Sequence, residues 1–135
     1  MYEADRHEFP GIAEICADTL LHWIESDNVV LVDVRKAGER EISTIPRAIG
    51  SKDLARYLQD HPHHRVVFYC TIGYRSGKAV QKLLETNINA YNLKGGILAW
   101  AHANGPIEDE GTPTKTVHVY GEKWDLLPDS FISVW

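Results

Sequence analysis

The sequence predicts an α/β domain built on a mostly parallel sheet, and three features carry that reading. Short apolar runs alternate with segments of helical spacing over roughly the first hundred residues. The run Val29-Val30-Leu31-Val32-Asp33-Val34 is continuous, β-branched and short, as in a parallel strand covered on both faces. A Gly-Gly pair and a Gly-Pro pair bracket the last helical segment.

In chain order, residues 9–15 predict a short first strand, and residues 17–25 an amphipathic helix turning Leu20, Leu21, Trp23 and Ile24 toward the core. Residues 29–34 form the buried strand, with Asp33 interrupting it near its end. Residues 46–49 read as a very short strand and residues 52–59 as a helix closed by His61-Pro62. Residues 66–69 are the next strand. Residues 77–85 follow as a helix with Ala79, Val80, Leu83 and Leu84 inward. Ala90-Tyr91-Asn92-Leu93 makes another strand, and Gly95-Gly96 opens a final helix that carries Trp100 into the core and stops at Gly105-Pro106.

A length of 135 residues with 44% hydrophobic side chains suits one folded domain. No apolar stretch approaches a membrane span, and MYEADRHEFPG is charged where a signal peptide needs an apolar core, so no membrane and a cytoplasmic location are expected. Cys16 and Cys70 make neither a disulfide framework nor a zinc spacing, and Cys16 reads as a core residue. Residues 1–105 hold 13 acidic and 12 basic side chains, whereas residues 106–135 hold 6 and 2. That distribution lacks the basic footprint of a nucleic-acid binder, so no nucleic-acid partner is expected. The acidic run Glu108-Asp109-Glu110 reads as a solvated linker. His61-Pro62-His63-His64 reads as a polar turn, because no acidic or Cys ligand accompanies it; no metal and no cofactor are expected.

Chemistry concentrates in Cys70-Thr71-Ile72-Gly73-Tyr74-Arg75, between an apolar strand and a helix. In parallel sheets ligands bind at the carboxyl ends of strands, where both Asp33 and Cys70 fall. Backbone N–H groups converging from Thr71 through Ser76 would form an anion nest around the sulfur. A thiol beside a helix N-terminus and an Arg ionises more easily, from about 8.5 into a range of roughly 3.5 to 7.5. Gly73 supplies the positive φ that a tight curl demands, and the fork of Arg75 suits an oxyanion. Ser76 either caps the following helix or points its hydroxyl at the sulfur. Such a thiolate supports sulfur transfer through a persulfide, phosphate ester hydrolysis through a cysteinyl phosphate, or redox sensing through a sulfenic acid.

Four segments together resemble the rhodanese-like sulfurtransferases. Leu31-Val32-Asp33-Val34-Arg35 is similar to the family's first fingerprint, and Ile45-Pro46 with Ala48-Ile49 to its Ile-Pro-Gly-Ala-Ile stretch. Cys70 to Ser76 is similar to its active-site loop, and Leu93-Lys94-Gly95-Gly96-Ile97-Leu98-Ala99-Trp100 to its closing motif. The resemblance covers residues 10–106. It implies a rhodanese-like fold, with a five-stranded mostly parallel sheet flanked by helices on both faces. It also implies Cys70 as the catalytic persulfide carrier, with Thr71, Ile72, Gly73, Tyr74, Arg75 and Ser76 binding a small anionic sulfur donor. Asp33 and Arg35 would brace the loop. Related phosphatases and arsenate reductases use a loop one residue longer, which disfavours that chemistry here. Two departures stand out: Ser43-Thr44 precede Ile45-Pro46 in place of Gly-His, and Arg47 replaces a Gly.

The expected reaction moves a sulfane sulfur from a donor such as thiosulfate to a nucleophilic acceptor. The alternative is a sulfur-relay or regulatory module that exchanges sulfur with a protein donor or acceptor. Residues 1–106 are expected to be the domain and residues 107–135 an extension, whose alternating run Lys115-Thr116-Val117-His118-Val119-Tyr120 and aromatics Trp124, Phe131 and Trp135 pack on the domain or on a second subunit as a homodimer.

Overall fold

The structure, a computed structural model, describes residues 12–26, 28–71, 73–83, 86, 88–109, 111–118 and 131–134. Strand β1 (Glu14–Ile15) leads into helix α1 (Ala17–Ser26), strand β2 (Val29–Asp33) and a six-residue helix α2 (Ala37–Ile42). Strand β3 (Ile49–Gly50), a 3-10 turn at Ser51–Asp53 and helix α3 (Leu54–Asp60) precede strand β4 (Arg65–Tyr69). Helix α4 (Tyr74–Gln81), strand β5 (Ala90–Leu93) and helix α5 (Gly96–His102) complete the main unit.

All five strands run parallel in the order β1-β5-β4-β2-β3. Their carboxyl ends therefore share one edge of the sheet. Side chains alternate across it: Leu31, Val67, Tyr69 and Leu93 join Leu20 of α1 and Ile97, Leu98 and Trp100 of α5 on one face. Val30, Val32, Val66 and Phe68 pack with Leu54 and Leu58 of α3 and Val80 of α4 on the other. Both faces are covered, which explains why the central strands read as continuous apolar runs. Trp100 is fully buried and donates its indole N–H to Pro106 O at 2.7 Å.

The predicted elements recur with shifted ends. Strand β1 is confined to two residues, and the expected start at Phe9 lies outside the described residues, as do Ile72, Leu84, Glu85, Val119, Tyr120, Trp124 and Trp135. Pro46 and Arg47 form a turn rather than a strand, and pairing begins at Ile49. Arg47 there has φ 69°, a left-handed conformation that costs a non-glycine residue about 1 kcal/mol. Helix α2 has no counterpart in the sequence reading, because Ala37-Gly38-Glu39-Arg40-Glu41-Ile42 has one large apolar residue and no periodicity. Cys16 corrects another expectation: it is exposed. It lies between β1 and α1, its carbonyl accepting Leu20 N–H, with its sulfur 3.3 Å from Thr19 Oγ1. That hydroxyl and the Thr19 backbone N–H lower its thiol pKa.

Beyond residue 106, strands β6 (Glu108–Asp109) and β7 (Thr112–Pro113) pair antiparallel, and β8 (Thr116–His118) pairs parallel with β9 (Ile132–Val134). Thr44 and Glu108 exchange two backbone hydrogen bonds of 2.8 and 2.9 Å. Ile107, Val117 and Phe131 are buried in the same cluster as Trp100 and Leu93. No helix among the described residues is long and apolar enough to cross a membrane.

Candidate active site

Cys70 is the first residue after β4, and its loop closes into α4, whose first residue is Tyr74. Gly73 has φ 104°, the conformation a Cβ would oppose, and this turns its N–H back onto Cys70 Sγ at 3.1 Å. Ser76, one turn along, has its hydroxyl 3.5 Å from the same sulfur. Cys70 is only 1% exposed, so its sulfur sits among these donors in a dry site. Ser76 does not cap α4: its hydroxyl donates to Asn92 Oδ1 at 2.6 Å, and Asn92 Nδ2 donates to Gly73 O at 3.1 Å.

Behind the loop, α5 holds its backbone. Ile97 N–H donates to Cys70 O at 2.8 Å and Leu98 N–H to Thr71 O at 3.2 Å. The close approach requires Gly96, where an added Cβ would lie 2.4 Å from Cys70 O and 2.5 Å from Thr71 O. The first peptides of the loop are thereby docked on the amino end of α5, the end that favours carbonyl oxygens.

Asp33 and Arg35 lie under the loop rather than in it. Asp33 Oδ2 takes Arg35 Nη2 at 2.7 Å, and the same Nη2 donates to Ser43 O at 2.6 Å. Tyr69, the residue before Cys70, donates its hydroxyl hydrogen to Asp33 Oδ2 at 2.9 Å and accepts Ile45 N–H at 3.1 Å. Val34 N–H donates to Tyr69 O. The pair thus ties the end of β4 to the end of β2 and to the segment 43–45. Burial opposes the charge on Arg35, but hydrogen bonds and charge from Asp33 prevail and raise its pKa. Burial, then the Asp33 charge, pushes the Tyr69 phenol far above its ordinary value, so it acts only as a neutral donor and acceptor.

Arg75 is where the structure differs most from the sequence reading, which gave its fork to the donor. Its Nη1 lies 2.7 Å from Glu39 Oε1 and its Nη2 2.9 Å from Glu39 Oε2, a two-pronged pair. Nη2 also reaches Thr71 Oγ1 at 3.1 Å, and Lys36 N–H donates to Glu39 Oε1 at 3.3 Å. Glu39 is 3% exposed, whereas the Arg75 side chain keeps 25%. Burial raises the Glu39 pKa, but the hydrogen bonds and charge of Arg75 outweigh it and leave the carboxyl below its usual value of 4.5. His118 of β8 comes within 3.9 Å of Glu39 Oε2, bringing the extension to this cluster.

Of the residues expected to bind substrate, Gly73 and Ser76 face Cys70 Sγ, Thr71 and Arg75 contact each other at 3.1 Å beside Glu39, and Ile72 lies outside the described residues. Tyr74 is half-buried, with Lys78 Nζ 5.2 Å from its ring centroid. Glu39, Asn92 and Tyr69 were missed as site residues. Asn92 left a trace, an amide inside an otherwise apolar strand; Glu39 left a weaker one, a carboxylate three residues after an extended Lys36. Among the described residues, no group of three or more His, Cys, Asp or Glu side chains could hold a metal ion.

Comparisons with known proteins bear on the fold and the family. A sulfurtransferase of Allochromatium vinosum is 36% identical over 104 residues, covering 71% of this chain and 94% of that protein. A tRNA uridine(34) hydroxylase of Synechococcus elongatus is 36% identical over 96 residues, covering 64% of this chain and 36% of that protein. The chain therefore spans about a third of the length of that relative. The crystal structure of a rhodanese-like domain protein from Staphylococcus aureus superposes with a TM-score of 0.56 at 32% identity, over 74% of this chain and 95% of that one. A family model for the rhodanese-like domain matches residues 17–103, the stretch that carries α1 through α5 and the Cys70 loop, so this chain belongs to the rhodanese-like domain family.

Proposed function

We propose that this protein is a sulfurtransferase that carries a sulfane sulfur as a persulfide on Cys70. The observation that supports the reading best is the curled loop, in which Gly73 N–H points at the sulfur from 3.1 Å and Ser76 Oγ stands 3.5 Å away. A preorganised backbone donor such as Gly73 N–H stabilises negative charge on sulfur without a metal or a base.

In the first half-reaction the Cys70 thiolate attacks the outer sulfur of thiosulfate. The new bond joins Sγ to that sulfur; the donor's S–S bond breaks and sulfite leaves with the electron pair. In the second, a nucleophilic acceptor such as cyanide or a thiolate attacks the outer sulfur, and the Sγ–S bond breaks to restore the Cys70 thiolate. Sulfur resides on the protein between the two steps, so ping-pong kinetics follow. Arg75 contributes positive potential at the loop, but its fork is shared with Glu39 and Thr71, so its direct hold on a donor is weaker than an open guanidinium would give. Asp33, Arg35 and Tyr69 fix the strand end that presents Cys70.

The test is mass spectrometry of the intact protein after incubation with thiosulfate, beside a Cys70→Ser variant. A gain of one sulfur atom that cyanide removes, seen only with Cys70, is expected. Hydrolysis of an aryl phosphate without any sulfur gain would overturn the reading.

A further inference from the structure

Asn92 is 0% exposed, and its Nδ2 donates to Gly73 O, which fixes Oδ1 as the atom turned toward Ser76. A carbonyl oxygen only accepts, so Ser76 gives its single hydroxyl hydrogen to Asn92 at 2.6 Å. Ser76 Oγ is also placed to donate to Cys70 Sγ at 3.5 Å, so Asn92 Oδ1 and the sulfur compete for one hydrogen. A neutral thiol is the weaker acceptor and leaves that hydrogen on Asn92. A thiolate or persulfide anion has no hydrogen at Sγ to give, and would face an oxygen lone pair until the Ser76 hydrogen turned from Asn92 to sulfur.

We propose that Asn92 is a positioning residue that sets the direction of the Ser76 hydroxyl and couples it to the charge on Cys70. The hydrogen lies on Asn92 while the sulfur is neutral and turns to the sulfur when it is anionic. Turning it breaks a short hydrogen bond in a site closed to water, so Asn92 opposes ionisation that Gly73 N–H favours. The resting thiol is kept less reactive than the loop amides alone would make it. The proposal rests on Cys70 as the reacting group and is independent of which donor or acceptor it serves.

The test is the pH dependence of alkylation by iodoacetamide in a Cys16→Ser background, where Cys70 is the sole thiol. Removing the competitor, Asn92→Ala lowers the pH midpoint by about one unit, the size expected of one hydrogen bond to a charged group. Ser76→Ala raises the midpoint by a similar amount, and adding Asn92→Ala to Ser76→Ala leaves it there. An equal shift in both backgrounds would assign the effect to Gly73 instead, and no shift or an upward one with Asn92→Ala would also overturn the proposal. Should Asn92→Ala fail to fold, NMR of the full chain tests the same coupling without that variant. The Asn92 side-chain amide signals should titrate together with Cys70 and cease to do so in Ser76→Ala; signals independent of pH in the parent protein would overturn it. Alkylation needs no sulfur transfer, so failure here is distinct from failure to form a persulfide.

Discussion

Replacing Glu39 by Gln removes one charge from the cluster behind the loop and changes the side chain's shape very little. The amide retains one acceptor for Arg75 Nη1 but turns an N–H toward Nη2 or Thr71, where the carboxylate accepted contacts of 2.9 and 3.5 Å. Removing one partner of a fully buried pair costs about 3 to 5 kcal/mol. Glu39 is 3% exposed but the Arg75 side chain is 25% exposed, and water reaching Arg75 reduces the expected loss to about 2 to 3 kcal/mol. For a chain of this size that lowers Tm by roughly 6 to 12 °C, readable by circular dichroism. The pH dependence has a fixed sign. The folded-state pKa of Glu39 lies below 4.5, so the pair's contribution is complete above about that pH and is lost as pH falls through the folded value. The gap between parent and Glu39→Gln should therefore hold steady from about pH 8 to pH 5 and narrow only below about 4.5. A variant within about 0.5 kcal/mol of the parent at pH 7, or a gap that narrows above pH 5, would refute the assignment of a buried, ionised carboxylate.

Gly96→Ala places a Cβ 2.4 Å from Cys70 O at φ +60° and should cost about 3 kcal/mol or more, with at least about tenfold slower persulfide formation. Gly38→Ala, inside α2 with nothing within 4 Å, should instead stabilise by up to about 1 kcal/mol; equal effects at the two sites in chemical denaturation would contradict the close-approach reading. Tyr69→Phe strands the buried Ile45 N–H and should cost about 1 to 3 kcal/mol in urea titrations, so a neutral outcome would show that the hydroxyl bridge is unimportant. Phe131→Ala, far along the chain from the family match, should destabilise by about 3 to 5 kcal/mol because Phe131 belongs to the cluster of Trp100 and Leu93. A change below about 1 kcal/mol there would mean that the extension contributes little to the core.

The three central strands β2, β4 and β5, the helices over residues 17–26 and 96–102, and the place of Cys70 at a strand end were legible because each rests on local pattern: β-branched runs, apolar spacing and Gly or Pro punctuation. The Cys-to-Arg spacing and Gly73 were legible for the same reason, since a tight curl is a property of consecutive residues. Helix α2 was not, because its six residues, three of them charged, show no apolar period, and its partner contact, Glu39 to Arg75, lies 36 positions away. Cys16 was misread as core because burial habit ignores where the chain turns, and it turns at that residue from strand to helix.

Local chemistry by itself determined the layered α/β fold and the loop that carries Cys70, since periodicity and turn residues act over a few positions. Tertiary structure alone decided which hydrogens and charges face that loop: Arg75 went to Glu39, Ser76 to Asn92 and Tyr69 to Asp33. Each of those pairings joins residues 16 to 36 positions apart. Partners so distant in sequence are chosen by the packing of strands and helices that no short stretch encodes.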